Sequence, residues 1–391
     1  MTMIPAPRIG VIGVAHSPFG RLENETVASL VGSVTVGAIK DAGIEPAEVD
    51  EVFVSQFNSG LTPFAFPSSL PIGAEPALWG IPMTRVENAC ASGSAAVHQG
   101  IRAILSGLAD TVLVVGVEKM THAGGAQVAS ALLGADAELA GTQSPEGFAG
   151  VFAEVARQYR DRYHAQDWLG DTLGRIAAKN HLNGCANPWA QLRKDLGVEF
   201  CSTVSERNPV VAEPLRRTDC SLVSDGAAAL VLRKDPDHPM ATILGFGHAN
   251  DRLEKNQRDV LEFAAGRKAV NEALMRAGAS VDQLSFAEVH DCFTIAELIC
   301  YEMLELTPRG QGRRAIDEGW VFRDGRLPVN VSGGLKAKGH PVGATGVSQH
   351  VIAALQLSGR AGDMQLPAPK LGLVHNMGGL AVANYATVLG G

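Results

Sequence analysis

Residues 38–54, AIKDAGIEPAEVDEVFV, lie over residues 273–289, ALMRAGASVDQLSFAEV, without a gap. Each begins as an amphipathic helix and reaches Ala-Gly at its end, Ala42-Gly43 in the first and Ala277-Gly278 in the second. Glycine directly after the last helical turn accepts the left-handed conformation that closes a helix. A turn containing Asp follows in both, then a short apolar run that reads as a strand. A second pair keeps the same order: ASGSAAVHQGIRAILSG (91–107) and GATGVSQHVIAALQLSG (343–359). Both start in small residues, form a helix ending in Ser-Gly, and lead to an apolar strand, TVLVVGVE or LGLVHN. Chance resemblance between Ala/Gly helices is the alternative; two matches in one order favour an internal duplication.

Strands alternating with helices predict an α/β protein whose sheets are covered by helices. The first half is expected over residues 1–240 and the second over 241–391. Between about 119 and 215 the texture changes. TQSPEGFAGVFAEVARQYRDRYHAQDW and NGCANPWAQLRKDLG are richer in charge, aromatics and turn residues, and read as an inserted lid. SLVSDGAAALVLRK then returns to strand-like sequence and closes the first half.

A chain of 391 residues, 46% hydrophobic and 19% charged, has the composition of a folded protein of two or three domain-sized units. Its net charge of −8 gives a nucleic-acid role no electrostatic support. No apolar run reaches the length of a membrane helix, and the N-terminus is a poor signal peptide. The six cysteines (90, 185, 201, 220, 292, 300) show neither a C-x-x-C pair nor a zinc spacing. A reducing, cytoplasmic setting without membrane insertion is expected.

Three stretches carry chemistry. In ENACASGSAAVHQG, Cys90 precedes a helix whose unpaired N–H groups favour a thiolate and can hold an oxyanion; a buried structural cysteine is the alternative. In NVSGGLKAKGHPVGATG, His340 lies in a glycine-rich turn unsuited to packing a ring. The duplication brings both helix starts to the junction between the halves, where a Cys–His pair makes an activated nucleophile. In AEVHDCFT, His290, Asp291 and Cys292 directly follow a strand.

NACASGSAAV, HDCF, GGLKAKGHPVGATG and VSDGAAALVL, with NHLNGCANPWAQ and HNMGG, together resemble a thiolase, nearest to the sterol-carrier-protein type. The resemblance spans essentially the whole chain. It implies duplicated βαβαβαββ halves in a five-layered αβαβα core, an inserted loop domain over coenzyme A, and a homodimer or dimer of dimers. It implies acyl-CoA and CoA as substrates, no prosthetic group or metal, and a place in fatty-acid and lipid metabolism. By position, Cys90 matches the acylated nucleophile and His340 the histidine that activates it. His290 stands where ordinary thiolases carry Asn in Asn-Glu-Ala-Phe, and would share with His340 an oxyanion hole for the thioester oxygen. Gly378 would donate its N–H, with that of Cys90, to a second hole. Ser221 falls where thiolases contact the pantetheine arm.

One departure matters. Most thiolases carry an acid/base cysteine in Cys-x-Gly near the C-terminus; here that stretch is Asn376-Met377-Gly378. Sterol-carrier-type thiolases also lose it and carry a cysteine in His-Asp-Cys-Phe. Cys292 is therefore the candidate proton donor, its thiol tuned toward operating pH by two nearby imidazoles; the alternative makes it a small buried filler. Asp291 is expected to orient its loop or cap a nearby group rather than react. His375 is a supporting or packed residue, and His98 and His350 are structural. Cys185, Cys201, Cys220 and Cys300 are left inert. Arg157, Arg160, Arg193, Lys194, Arg216 and Arg217 are either phosphate contacts or solvated surface. Competing readings are a ketoacyl-synthase-like decarboxylating enzyme on the same fold, a thiolase-like aldolase or chain that needs an accessory subunit, and a non-catalytic acyl-CoA-binding scaffold.

Overall fold

A computed structural model describes residues 7–57 and 61–391. The first half runs β1 (Ile9–His16), α1 (Val27–Ala42), β2 (Glu51–Ser55), α2 (Leu70–Ala74), β3 (Met83–Val86), α3 (Ser92–Leu105) and β4 (Thr111–Glu118). An insertion follows with α4 (Gly125–Leu133), α5 (Gly147–Arg162), α6 (Leu169–Ala186), α7 (Gly197–Ser202) and the short pair β5 (Val210–Ala212) and β6 (Leu215–Arg216). β7 (Gly226–Lys234) then returns to the first sheet. The second half runs β8 (Ala241–Asn250), α8 (Ala264–Ala277), β9 (Phe286–Glu288), α9 (Thr294–Met303), α10 (Arg313–Asp317), α11 (Gly334–Lys338), α12 (Val342–Leu357), β10 (Leu371–Gly378) and β11 (Ala383–Gly390).

The strands lie in the order β3-β2-β4-β7-β1-β8-β11-β10-β9. Read outward from the centre, β1-β7-β4-β2-β3 is matched by β8-β11-β10-β9, and Val329 bridges Ala287 in parallel where β3 stands in the first half. Pair directions agree throughout: antiparallel for the inner pairs and parallel for the outer ones. The halves join through a short antiparallel seam, Ile9–Val11 of β1 against Ala241–Ile243 of β8. The repeated helix ends are alike in detail, with Gly43 at φ +65° and Gly278 at +63°, and Gly107 at +77° and Gly359 at +72°.

Side-chain alternation along the strands divides the interior into separate cores. On β4, Leu113, Val115 and Val117 pack under Leu30, Val31, Val34 and Ala38 of α1. Val112 and Val114 face the opposite way, toward Val97 and Ile101 of α3 and Val347 and Val351 of α12. On the second sheet Val374 and Leu389 share that middle core. Leu373 and Val388 point outward to α8, α9 and the insertion's Phe152 and Leu173. The result is five layers, with α3 and α12 as the central one between two sheets.

That central layer positions the site. α3 and α12 approach backbone to backbone: a Cβ on Gly93 would lie 2.7 Å from the Gly346 nitrogen. The small residues that open both helices are what permits this contact, and it brings Cys90 and His340, each just ahead of its helix, together. Among the described residues no helix is long and apolar enough to cross a membrane.

Candidate active site

Cys90 lies between β3 and α3, after Ala89, whose φ of +49° is a conformation that costs a non-glycine residue energy. The bend is pinned by Ser92, whose hydroxyl donates to Ala89 O at 2.6 Å and accepts from Asn88 N at 2.8 Å. The thiol is 6% exposed. Two N–H groups reach its sulfur, that of Cys90 and that of Gly379. Gly379, at φ +60°, aims its N–H at the thiol and directly follows Gly378, the glycine expected in the second oxyanion hole. Gly378 lets the end of β10 pass under the Cys90 loop, since a Cβ there would lie 2.6 Å from Asn88 O.

His340 follows α11, whose first turn is held by the Asp291 carboxylate accepting from Leu335 N at 2.7 Å and Lys336 N at 3.3 Å. Asp291 thus caps a nearby group, the first turn of α11. The His340 backbone N–H donates to Ser224 Oγ at 3.0 Å. Its Nδ1 lies 2.6 Å from Thr345 Oγ1, which donates to Pro341 O at 3.0 Å. A hydroxyl has one proton, so both bonds form together only if Nδ1–H is the donor to Thr345. His340 Nε2 is then an unprotonated, buried nitrogen with no partner among the described residues. It is a base waiting for a proton.

His290 follows β9. The parallel register Val374↔Glu288, continued by two residues, sets it beside Asn376 of β10. The Asn376 amide Nδ2 stands 2.9 Å from His290 Nδ1 and 3.1 Å from Cys90 O. The two imidazoles meet edge to face, centroids 5.2 Å apart at 84°. The Cys90 sulfur and one nitrogen from each ring lie within 4.8 Å of one another.

Burial decides the resting charges. It pushes the Cys90 thiol up to about 12, with Glu118 adding to the effect, although the two N–H groups oppose it. The thiolate character expected from the helix start is therefore overruled, because loss of water outweighs two partial charges. Burial, with Lys338 nearby, holds His340 down at about 3, and burial and His340 hold His290 well below its ordinary value. The resting pair is a neutral thiol beside a neutral imidazole.

Cys292 is 4% exposed and, with Cys90, His340 and Ser221, lines a cavity of about 670 Å³. Burial raises its pKa well above the ordinary thiol value, with Cys90, Asp291 and Cys300 contributing. The expected lowering by two imidazoles is not found: both rings are neutral and bring no charge to stabilise a thiolate. Cys292 is thus a protonated thiol at the cavity wall. Ser221 N–H donates to Cys292 O at 2.9 Å, fixing that wall.

The other expected residues divide cleanly. His375 packs behind the site against Cys300 Sγ at 4.0 Å and Asn384 Oδ1 at 3.3 Å. His98 and His350 share Thr387 at 3.0 and 2.9 Å. Cys201 lies buried in a small cluster with Ala177 and Ala178, and Cys185 bonds to His181 O. Cys220, expected to be without context, lines the cavity, its thiol pushed up to about 12 by burial. Arg216 is committed to a buried pair with Asp219 at 2.8 Å. Arg157 and Arg160 pair with Glu154 and Glu213, while Arg193, Lys194 and Arg217 are exposed. Sequence reading missed Thr345, which orients His340, and the apolar wall of Met120, Val128, Leu132 and Phe148. The signal for Thr345 was its place in the same turn as His340.

The sequence matches the family models described as "Thiolase, N-terminal domain" over residues 9–235 and "Thiolase C-terminal domain-like" over residues 247–391. It is 36% identical over 377 residues to the acetyl-CoA acetyltransferase of Methanothermobacter thermautotrophicus, covering 95% of this chain and 96% of that one. It is 28% identical over 397 residues to sterol carrier protein 2 of Oryctolagus cuniculus, covering 96% of this chain and 71% of that one. Among solved structures, the Ltp2-ChsH2(DUF35) aldolase superposes with a TM-score of 0.81 at 21% identity, over 99% of this chain and 98% of that one. With both family models matched over nearly the whole chain, on a duplicated fold that brings a cysteine and two histidines together, this chain belongs to the thiolase family and is an acyltransferase.

Proposed function

We propose that the chain cleaves a 3-oxoacyl-CoA with CoA, or runs the reverse Claisen condensation, through an acyl-enzyme on Cys90. The single observation that carries this is the Cys90 thiol and the unprotonated His340 Nε2 in one buried cluster with His290. His340 Nε2 takes the Cys90 proton as sulfur attacks the 3-oxo carbon. The oxyanion is held by the N–H of Cys90 and the N–H groups of the Gly378–Gly379 turn. The bond between C2 and C3 breaks, leaving the acyl group on sulfur and an acetyl-CoA enolate. Its thioester oxygen accepts hydrogen bonds from His290 and from His340, which keeps the proton it has just received. Cys292 gives its proton to the enolate carbon. Incoming CoA-SH returns a proton to Cys292 and attacks the acyl-enzyme; Cys90 leaves and recovers its proton from His340. Every proton is accounted for by these side chains, so the cycle needs no prosthetic group or metal.

In this scheme the insertion over 119–215 covers the CoA arm, with Ser221 at its inner end. A homodimer or dimer of dimers in the cytoplasm is the proposed working form. An accessory subunit remains a proposal too, motivated by the two-component name of the aldolase above. The test is thiolysis of a 3-oxoacyl-CoA by CoA in Cys292→Ser. A drop of about 10²–10⁴-fold, with Cys90 still acylated, is expected. Full activity in that variant would remove Cys292 from the reaction.

A further inference from the structure

Where most thiolases carry their second cysteine, this chain has Asn376, fully buried on β10. An amide at that place is a loss if the position must exchange protons. Its contacts give it a different use. The Nδ2 group has two hydrogens and two acceptors in reach: Cys90 O at 3.1 Å and His290 Nδ1 at 2.9 Å. A carbonyl oxygen can only accept, so one hydrogen goes to Cys90 O and the other to His290 Nδ1. Turning the amide over would set its oxygen against the Cys90 carbonyl, two acceptors facing each other. In the present orientation Oδ1 lies over Gly346, where a Cβ would approach it to 2.4 Å, so the glycine leaves room for this rotamer.

The consequence falls on His290. A neutral imidazole has one N–H, and Nδ1 is occupied as an acceptor, so the proton sits on Nε2. That nitrogen is buried and has no partner among the described residues. His340 is fixed in the opposite state by Thr345, with its proton on Nδ1 and Nε2 open. The two rings therefore carry complementary open ends, one donor and one acceptor.

We propose that Asn376 is a positioning residue that locks His290 with its proton on Nε2, so that a ready N–H meets the substrate's thioester oxygen before any proton moves. The proposal rests on the thiolase reading for its catalytic consequence, but the lock itself is a property of the resting protein. In this chain the proton-exchanging cysteine is exchanged for an amide that sets a tautomer, and the thiol duty passes to Cys292.

The test is ¹⁵N NMR of the full chain labelled in histidine, with His290 identified as the signal pair lost in His290→Gln. The expected result is a protonated Nε2 and an unprotonated Nδ1 on His290 in the unmodified protein. In Asn376→Asp the carboxylate accepts from Nδ1–H, so the pattern should reverse and kcat for thiolysis should fall by about 10²–10³-fold. KM should move far less. A protonated Nδ1 in the unmodified protein, or an unchanged pattern in Asn376→Asp, would overturn the lock. If Asn376→Asp does not fold, the pattern in the unmodified protein decides alone. Because that pattern is read without substrate, it stands or falls independently of whether the chain performs thiolysis.

Discussion

Cys90→Ala is expected to lower CoA-dependent cleavage of a 3-oxoacyl-CoA on the order of 10⁶-fold, as loss of a covalent nucleophile does elsewhere. No neighbouring group can substitute. Cys292 lines the same cavity, but Cys90 is the thiol grouped with the two imidazoles. The Cys90 sulfur also has the N–H groups of Cys90 and Gly379 upon it. Binding should survive the change, because the apolar cavity wall of Met120, Val128 and Leu132 is untouched. The measurement is kcat beside the affinity for acyl-CoA. Unchanged affinity with kcat lost assigns Cys90 to chemistry; comparable turnover in Cys90→Ala would end the covalent scheme.

The second large effect is expected for His340→Ala, a fall on the order of 10⁴-fold or more. General-base transfer contributes about 10²–10⁴-fold and one oxyanion donor about 10²–10³-fold, and this ring serves in both roles. With the Cys90 thiol pushed up to about 12 and His340 held at about 3, ionisation in the resting protein is rare, so attack depends on handing the proton directly to Nε2. The sign of the pH dependence follows. A histidine at its ordinary value near 6.5 would be half protonated there and lose its base function below it. His340, lowered by burial and Lys338, stays neutral until the pH approaches its own value of about 3. The unmodified enzyme should therefore show no loss of kcat/KM with a midpoint near 6.5 as the pH falls from about 8 to 5. A bell whose acid limb is centred near 6.5 would mean that His340 is solvated and acts differently.

How much of this was legible in the sequence follows from the range of the interactions involved. The helix–Gly–turn–strand units are local, and Gly43 and Gly278 adopt nearly the same φ because the same turn is made twice. Cys90 and His340 could be paired because each stands just ahead of a duplicated helix. The seam between β1 and β8 could not be read, since it joins Ile9–Val11 to Ala241–Ile243 through so few residues. Protonation could not be read either: a cysteine at a helix start looks activated until its 6% exposure is known. Arg216 looked like a basic surface residue, yet its partner three residues on, Asp219, draws it inside. Asn376 looked like a deletion of function because its partner His290 is brought beside it only by the register of β9 on β10.

Whether carbon–carbon cleavage passes through an acyl group on Cys90, as proposed, is decided by mixing the protein with a 3-oxoacyl-CoA in the absence of free CoA. Intact and peptide mass spectrometry would be read together with the acetyl-CoA released. One acyl group per chain on Cys90, with an equal amount of acetyl-CoA, is the predicted result. An unmodified Cys90 alongside carbonyl products of a retro-aldol cleavage, or no turnover while acyl-CoA remains bound, would contradict it.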